Sequence, residues 1–69
     1  MKAADLLRRL RRLATRRGWE LEVTEGGSHT RVRLNGRGAT VPRHPGDLKT
    51  GTFRAILKQL GLTDADLEV

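Results

Sequence analysis

Apolar and polar positions along this chain follow two rhythms, and the switches between them mark its elements. From residue 3 to 17 the spacing is helical. At about 100° per residue, Ala3, Leu6, Leu7, Leu10, Leu13 and Ala14 share one face, and Arg8, Arg9, Arg11, Arg12 and Arg16 fall outside it. Arg17 would rotate back onto the apolar face, so the helix is expected to stop there, with Gly18 as its left-handed cap. Period-two alternation follows: Trp19, Leu21 and Val23 point one way, Glu20, Glu22 and Thr24 the other. Glu25-Gly26-Gly27-Ser28 reads as a turn. From His29 to Leu34 the alternation resumes, with Thr30, Val32 and Leu34 inward and His29, Arg31 and Arg33 outward. Asn35-Gly36 is a strong hairpin signal, because a type I′ turn needs positive φ at both positions. A third strand from about Arg37 to Val41 turns Ala39 and Val41 inward, and Pro42 stops it.

These turns predict registers. A two-residue loop at 35–36 pairs Leu34 with Arg37, Val32 with Ala39 and Thr30 with Val41. A four-residue loop at 25–28 pairs Thr24 with His29, Glu22 with Arg31 and Glu20 with Arg33. After a loop from Arg43 to Lys49, Thr50 reads as the N-cap of a second helix. Phe53, Ile56, Leu57 and Leu60 form its apolar stripe and Gly61 ends it. Thr63 caps a last short turn, Asp64 to Glu68, whose end is expected to fray. The predicted class is α+β: one domain over residues 1–69, αβββα, with two helices on one face of a three-stranded antiparallel sheet and the other face open.

Composition narrows what such a domain can do. With 69 residues, a core of this size supplies roughly 3–5 kcal/mol of stability. Absence of cysteine excludes disulfides and thiolate metal sites, and neither the two histidines nor the scattered carboxylates show metal spacing. No metal or cofactor is therefore expected. No apolar run reaches the roughly 20 residues of a membrane span, and the first helix is too charged for a secretory signal, so the expected location is the cytoplasm. The formal charge is +6, and eleven of the fourteen basic residues are arginine, whose planar fork matches phosphate. A polyanion partner is expected, nucleic acid or an acidic protein.

His29 is the candidate for chemistry. Imidazole is the side chain suited to taking and giving a proton near neutral pH, and Gly26, Gly27 and Ser28 beside it allow a close approach. Arg31 and Arg33 lie on the same face as candidate phosphate holders. The predicted register sets His29 opposite Pro42, so Arg43 and His44 leave the sheet beside it; Lys49, before the second helix, is a weaker candidate. From the residues alone an ordinary surface histidine at a strand end, and a stiff proline-bounded connection at 42–45, explain the same positions.

Four segments together resemble the HicA toxin family, the RNA-cleaving toxins of HicAB toxin–antitoxin pairs. They are Gly26-Gly27-Ser28-His29, Asn35-Gly36-Arg37, Val41-Pro42-Arg43-His44-Pro45-Gly46, and Ile56-Leu57-Lys58-Gln59-Leu60-Gly61-Leu62. The resemblance implies a fold like the double-stranded-RNA-binding domain, mRNA interferase activity, and His29 as the essential residue. It also implies a HicB-type antitoxin as the protein partner. Many members carry a histidine pair after Gly-Ser, whereas this chain has Ser28-His29-Thr30. The expected reaction is metal-independent cleavage of mRNA, with His29 as general acid or base and Arg31, Arg33, Arg43, His44 and Lys49 contacting RNA. Two alternatives stand beside it: a non-catalytic double-stranded-RNA-binding module, and an arginine-rich protein-interaction domain.

Overall fold

The computed structural model describes residues 1–43 and 46–68, so His44 and Pro45 lie outside the described residues. Helix α1 spans Ala3–Arg17 and buries Leu6, Leu10, Leu13 and Ala14, the stripe that the helical spacing predicts. Gly18 closes it in the left-handed conformation, with φ 68°. Arg17 does turn back toward the body. Its guanidinium lies over the Trp19 ring, 5.0 Å from the centroid, and pairs with Asp66 at 2.7 Å.

Three strands follow, β1 (Leu21–Gly26), β2 (His29–Leu34) and β3 (Arg37–Pro42), in the order β1-β2-β3 with β2 central. The β2–β3 register is the predicted one: Leu34 faces Arg37, Val32 faces Ala39 and Thr30 faces Val41. Asn35 and Gly36 both have positive φ, 50° and 83°, as a type I′ turn requires.

The β1–β2 register differs from the expectation by two residues. Gly26 faces His29, Thr24 faces Arg31 and Glu22 faces Arg33, and the loop is only Gly27-Ser28. Gly27 takes φ 40°, the sign that a type II′ turn demands at its first central residue. Glycine was the misleading signal: Gly26 remains in the strand, and Glu25 with it. A two-residue slip keeps every side chain on its own face, so both registers satisfy the apolar pattern. Turn geometry decides between them.

Helix α2 spans Thr50–Leu60 and covers the sheet beside β3 with Ile56, Leu57 and Leu60. Lys49, in extended conformation, occupies the cap position expected for Thr50, which is the first helical residue, and no side chain caps the helix. Gly61 ends it at φ 71°. The closing turn, α3 (Asp64–Leu67), ends one residue short of the expected Glu68 and is tied at its start. The Thr63 N–H and hydroxyl both donate to Asp66 Oδ2, and Arg17 bonds Asp66 Oδ1. These contacts hold the Asp66 carboxyl below its ordinary pKa, the Thr63 backbone bond foremost and Arg17 next.

Both helices bury their stripes against the inner face of the sheet. Leu6, Leu10, Leu13, Val32, Leu34 and Val41 are the fully enclosed side chains. Truncating one such leucine costs about 2–5 kcal/mol, comparable with the whole stability expected of a domain this small. No described helix is long and apolar enough to cross a membrane. The outer face of the sheet is left uncovered by the helices.

Candidate active site

Along β2 the outer face carries His29, Arg31 and Arg33 at alternate positions, so successive basic side chains rise about 7 Å apart. Their cross-strand neighbours are mostly small. His29 stands between Gly26 and Pro42, Arg31 between Thr24 and Thr40, and Arg33 between Glu22 and Gly38. A central row of basic side chains thus rises from low flanks. Glu22, Thr24, Arg31, Arg33, Gly38 and Thr40 line an open groove of about 560 Å³, and His29 lies one pleat beyond Arg31. Arg31 and Arg33 make no side-chain hydrogen bond or ion pair among the described residues, which leaves their forks available to an anion.

His29 is exposed, and its Nδ1 lies 3.3 Å from Ser28 Oγ. With one ring nitrogen engaged by the neighbouring hydroxyl, Nε2 is the nitrogen left for an external group. The two-residue register difference matters here. The expected pairing set Thr24 beside His29; the structure sets Gly26 there, which has no side chain to crowd the ring.

Beneath this turn is a brace that sequence reasoning missed. Glu25 follows Leu21 and Val23 on the inner face, opposite Thr30. Its Oε1 accepts from the buried Thr30 hydroxyl at 3.3 Å, and its Oε2 lies 3.3 Å from Arg43 Nε. Arg43 in turn donates from Nη1 to the Gly27 carbonyl at 3.1 Å and from its backbone N–H to Ser28 O at 2.9 Å. Carboxylate, hydroxyl and guanidinium thus tie β1, β2 and the segment after β3 to the loop that carries His29. The signal was legible: once Glu25 is counted within the strand, its parity sets it on the Thr30 side. Arg43, expected as a phosphate holder, places its Nε and Nη1 in this brace.

Of the remaining candidates, Lys49 does not join this group. His44 lies outside the described residues. Lys49 is exposed at the start of α2. Its surroundings belong to the chain's beginning, where Leu48 N–H donates to Met1 O, Lys2 bridges Asp47, and the terminal amine lies 3.6 Å from Asp47. Among the described residues, no three His, Cys, Asp or Glu side chains gather in a metal-binding arrangement.

Comparison with known proteins points one way. The family model of the HicA toxin of bacterial toxin-antitoxin systems matches residues 7–62. A probable mRNA interferase toxin HicA of Escherichia coli (strain K12) is 46% identical over 44 residues, which cover 62% of this chain and 76% of that protein. A probable mRNA interferase HicA 1 of Photorhabdus laumondii is 42% identical over 43 residues, 61% of this chain and 75% of the relative. A chain in the crystal structure of the Escherichia coli HicAB toxin-antitoxin complex superposes with a TM-score of 0.58. It is 40% identical, and the match covers 78% of this chain and 93% of that one.

Proposed function

The chain belongs to the HicA toxin family, and from that premise we propose that it is an mRNA-cleaving endoribonuclease in which His29 is the catalytic base. The observation that carries this reading is the setting of His29, an exposed imidazole between Gly26 and Pro42 at the end of the Arg31–Arg33 row. When Nδ1–H donates to Ser28 Oγ, Nε2 takes the proton of a ribose 2′-hydroxyl. The freed oxygen attacks the adjacent phosphorus and the bond to the 5′-oxygen breaks. A 2′,3′-cyclic phosphate remains on one fragment; the 5′-oxygen leaves as a hydroxyl with a proton from water, and His29 returns its proton to solvent. Arg31 holds and neutralises the crowded phosphate, and Arg33 holds the next one along the strand. Arg43 acts through the turn, by fixing where His29 stands.

Because the substrate supplies its own nucleophile, no metal is required to activate water. An antitoxin protein of the HicB kind restrains the activity by covering the outer sheet face. The deciding experiment uses an RNA carrying a 2′-deoxy or 2′-O-methyl sugar at the cleaved position. We expect no cleavage of it, and near-normal cleavage of unmodified RNA in the presence of chelator. Cleavage of the blocked RNA, or loss of activity with chelator, would replace internal attack with metal-assisted hydrolysis. If unmodified RNA is bound but not cut, the domain is a binding module only.

A further inference from the structure

The proposed chemistry leaves the most basic element of the molecule unused. Arg8, Arg11, Arg12 and Arg16 are all exposed on the side of α1 facing away from the core, with Ala4 and Thr15 between them. Arg8 is bonded to Asp5 at 2.8 Å. Arg11, Arg12 and Arg16 make no side-chain hydrogen bond or ion pair among the described residues. Arg9 sits to one side, bordering a depression that also holds Asp64 and Glu68. The four central guanidiniums extend over residues 8 to 16, about 12 Å of helix at 1.5 Å per residue. Since α1 covers the inner face of the sheet, this surface lies on the far side of the molecule from His29.

Such a helix face works against its own stability. Arg8 and Arg11, Arg8 and Arg12, and Arg12 and Arg16 are neighbours at three- or four-residue spacing, where like charges repel. Asp5 is the one acidic residue in α1. Solubility is served as well by mixed charges. A surface that concentrates arginine at a cost to its helix is suited to binding a dense array of negative charge.

Its chemistry also separates the candidate partners. Protein interfaces centre on buried aromatic or aliphatic anchors with a polar rim. This face exposes no large apolar side chain; Met1 is the exposed one among the described residues, and it lies beside Asp47 and Leu48. Single-strand binders interleave charge with aromatic rings for bases to stack on. The α1 face has no such ring: Trp19 and Phe53 are half-buried against the core, whereas the exposed imidazole of His29 stands on the sheet face, where a base can stack on it. What remains is recognition of phosphates through guanidinium forks alone, which suits duplex RNA, whose backbone is read by shape.

We propose that the outer face of α1 is a second RNA site that docks on the phosphate backbone of a duplex or hairpin segment, while the sheet face works on a single strand. The toxin would then grip structured RNA on one side and cut an unpaired stretch on the other, the first contact raising the effective concentration of the second. This inference rests on the proposed ribonuclease reading for its purpose but not for its test.

The test measures binding, in a His29→Ala background, to two probes: an RNA hairpin with a fully paired stem and a short unstructured oligonucleotide. Arg11→Gln/Arg12→Gln/Arg16→Gln should weaken hairpin binding at least tenfold at moderate salt. The slope of log K against log salt should fall by about two to three, at roughly 0.9 per phosphate contact on a duplex. Oligonucleotide binding should change far less, and Arg31→Gln/Arg33→Gln should show the opposite preference. The corresponding triple lysine variant, which keeps the charge, should retain most hairpin binding. If the glutamine variant is poorly folded by circular dichroism, Arg12→Gln alone should give about a third of the change in slope. An unchanged hairpin slope overturns the proposal, as does an equal loss on both probes. If only binding to the antitoxin protein is lost, the face belongs to that protein and the proposal fails. Absence of cleavage by wild type would count against the ribonuclease reading and leave these binding results intact.

Discussion

The outer face of the sheet and the outer face of α1 are both arginine-bearing and exposed, yet they are built differently. On the sheet, one histidine and two arginines rise from flanks of glycine, threonine and proline with one glutamate, Glu22, and a hydrogen-bonded brace beneath fixes the turn that carries the histidine. On the outer face of α1, four arginines project from a regular helix with no proton-transferring group among them. Charge alone can bring RNA to a surface. Catalysis needs a group held in one geometry, and only the sheet has the architecture to hold one.

His29→Ala should produce the largest effect. Loss of a positioned general base lowers the cleavage rate by about 10²–10⁴-fold. The thermal midpoint should stay near wild type, because the ring is exposed and its contact is the neighbouring Ser28 hydroxyl rather than the core. A variant that still cuts at the wild-type rate would move the chemistry elsewhere, and one that unfolds would make His29 structural.

The brace sharpens the contrast next. Arg43→Gln and Glu25→Gln should each lower kcat roughly tenfold, about 1.4 kcal/mol in transition-state terms, with little change in the salt slope of binding. Because both act on one turn, the double variant should be little worse than either single variant. A reduced salt slope for Arg43→Gln would instead return Arg43 to the set of phosphate contacts. Arg31→Gln/Arg33→Gln is the complementary control. It should lower the slope for single-stranded RNA by about 1.4, at about 0.7 per contact.

Smaller effects are expected on the helical side. The Asp66 carboxyl is held below its ordinary pKa, so its contribution to stability is present above about pH 4 and is lost as pH falls through the folded-state value. Asp66→Asn should therefore flatten the acid limb of stability against pH. An unaltered acid limb would show that the Thr63 and Arg17 contacts to this carboxylate contribute nothing measurable. The smallest effect has the opposite sign. Arg12→Gln relieves three repulsive spacings, those to Arg8, Arg9 and Arg16, and should raise stability by roughly 0.2–0.5 kcal/mol per pair. No gain in a urea titration would mean that salt or the core already offsets the repulsion.

Much of this architecture was legible in the chain. The helical stripe of α1, its stop at Arg17 and the type I′ hairpin follow from rules acting over a few residues, and β2–β3 then had only one register to adopt. The first hairpin was less transparent, because two glycines in a row offer more than one place to turn and a two-residue slip leaves the apolar pattern intact. That ambiguity hid the brace, since Glu25 becomes a strand residue facing Thr30 only in the tighter turn. The site was half legible. His29 and its arginine row follow from alternation, whereas the role of Arg43 depends on contacts between segments sixteen residues apart. The tie between Arg17 and Asp66 spans forty-nine residues, beyond any local pattern.

The meander has a kinetic consequence. Every strand pairs with its neighbour in sequence through a two-residue loop, so the whole sheet, with His29 and its arginine row, is contained in residues 21–42. Hairpins of this kind close in about 1–10 μs, and chains dominated by such local pairings fold quickly for their size. A lone sheet with one apolar face is not stable in water, so lasting structure awaits the helices. Their arrival sets the folding rate. Substitutions at the α1–sheet contact, such as Leu10→Ala, should therefore slow folding, whereas changes at the Asn35-Gly36 turn act on a step that is already fast.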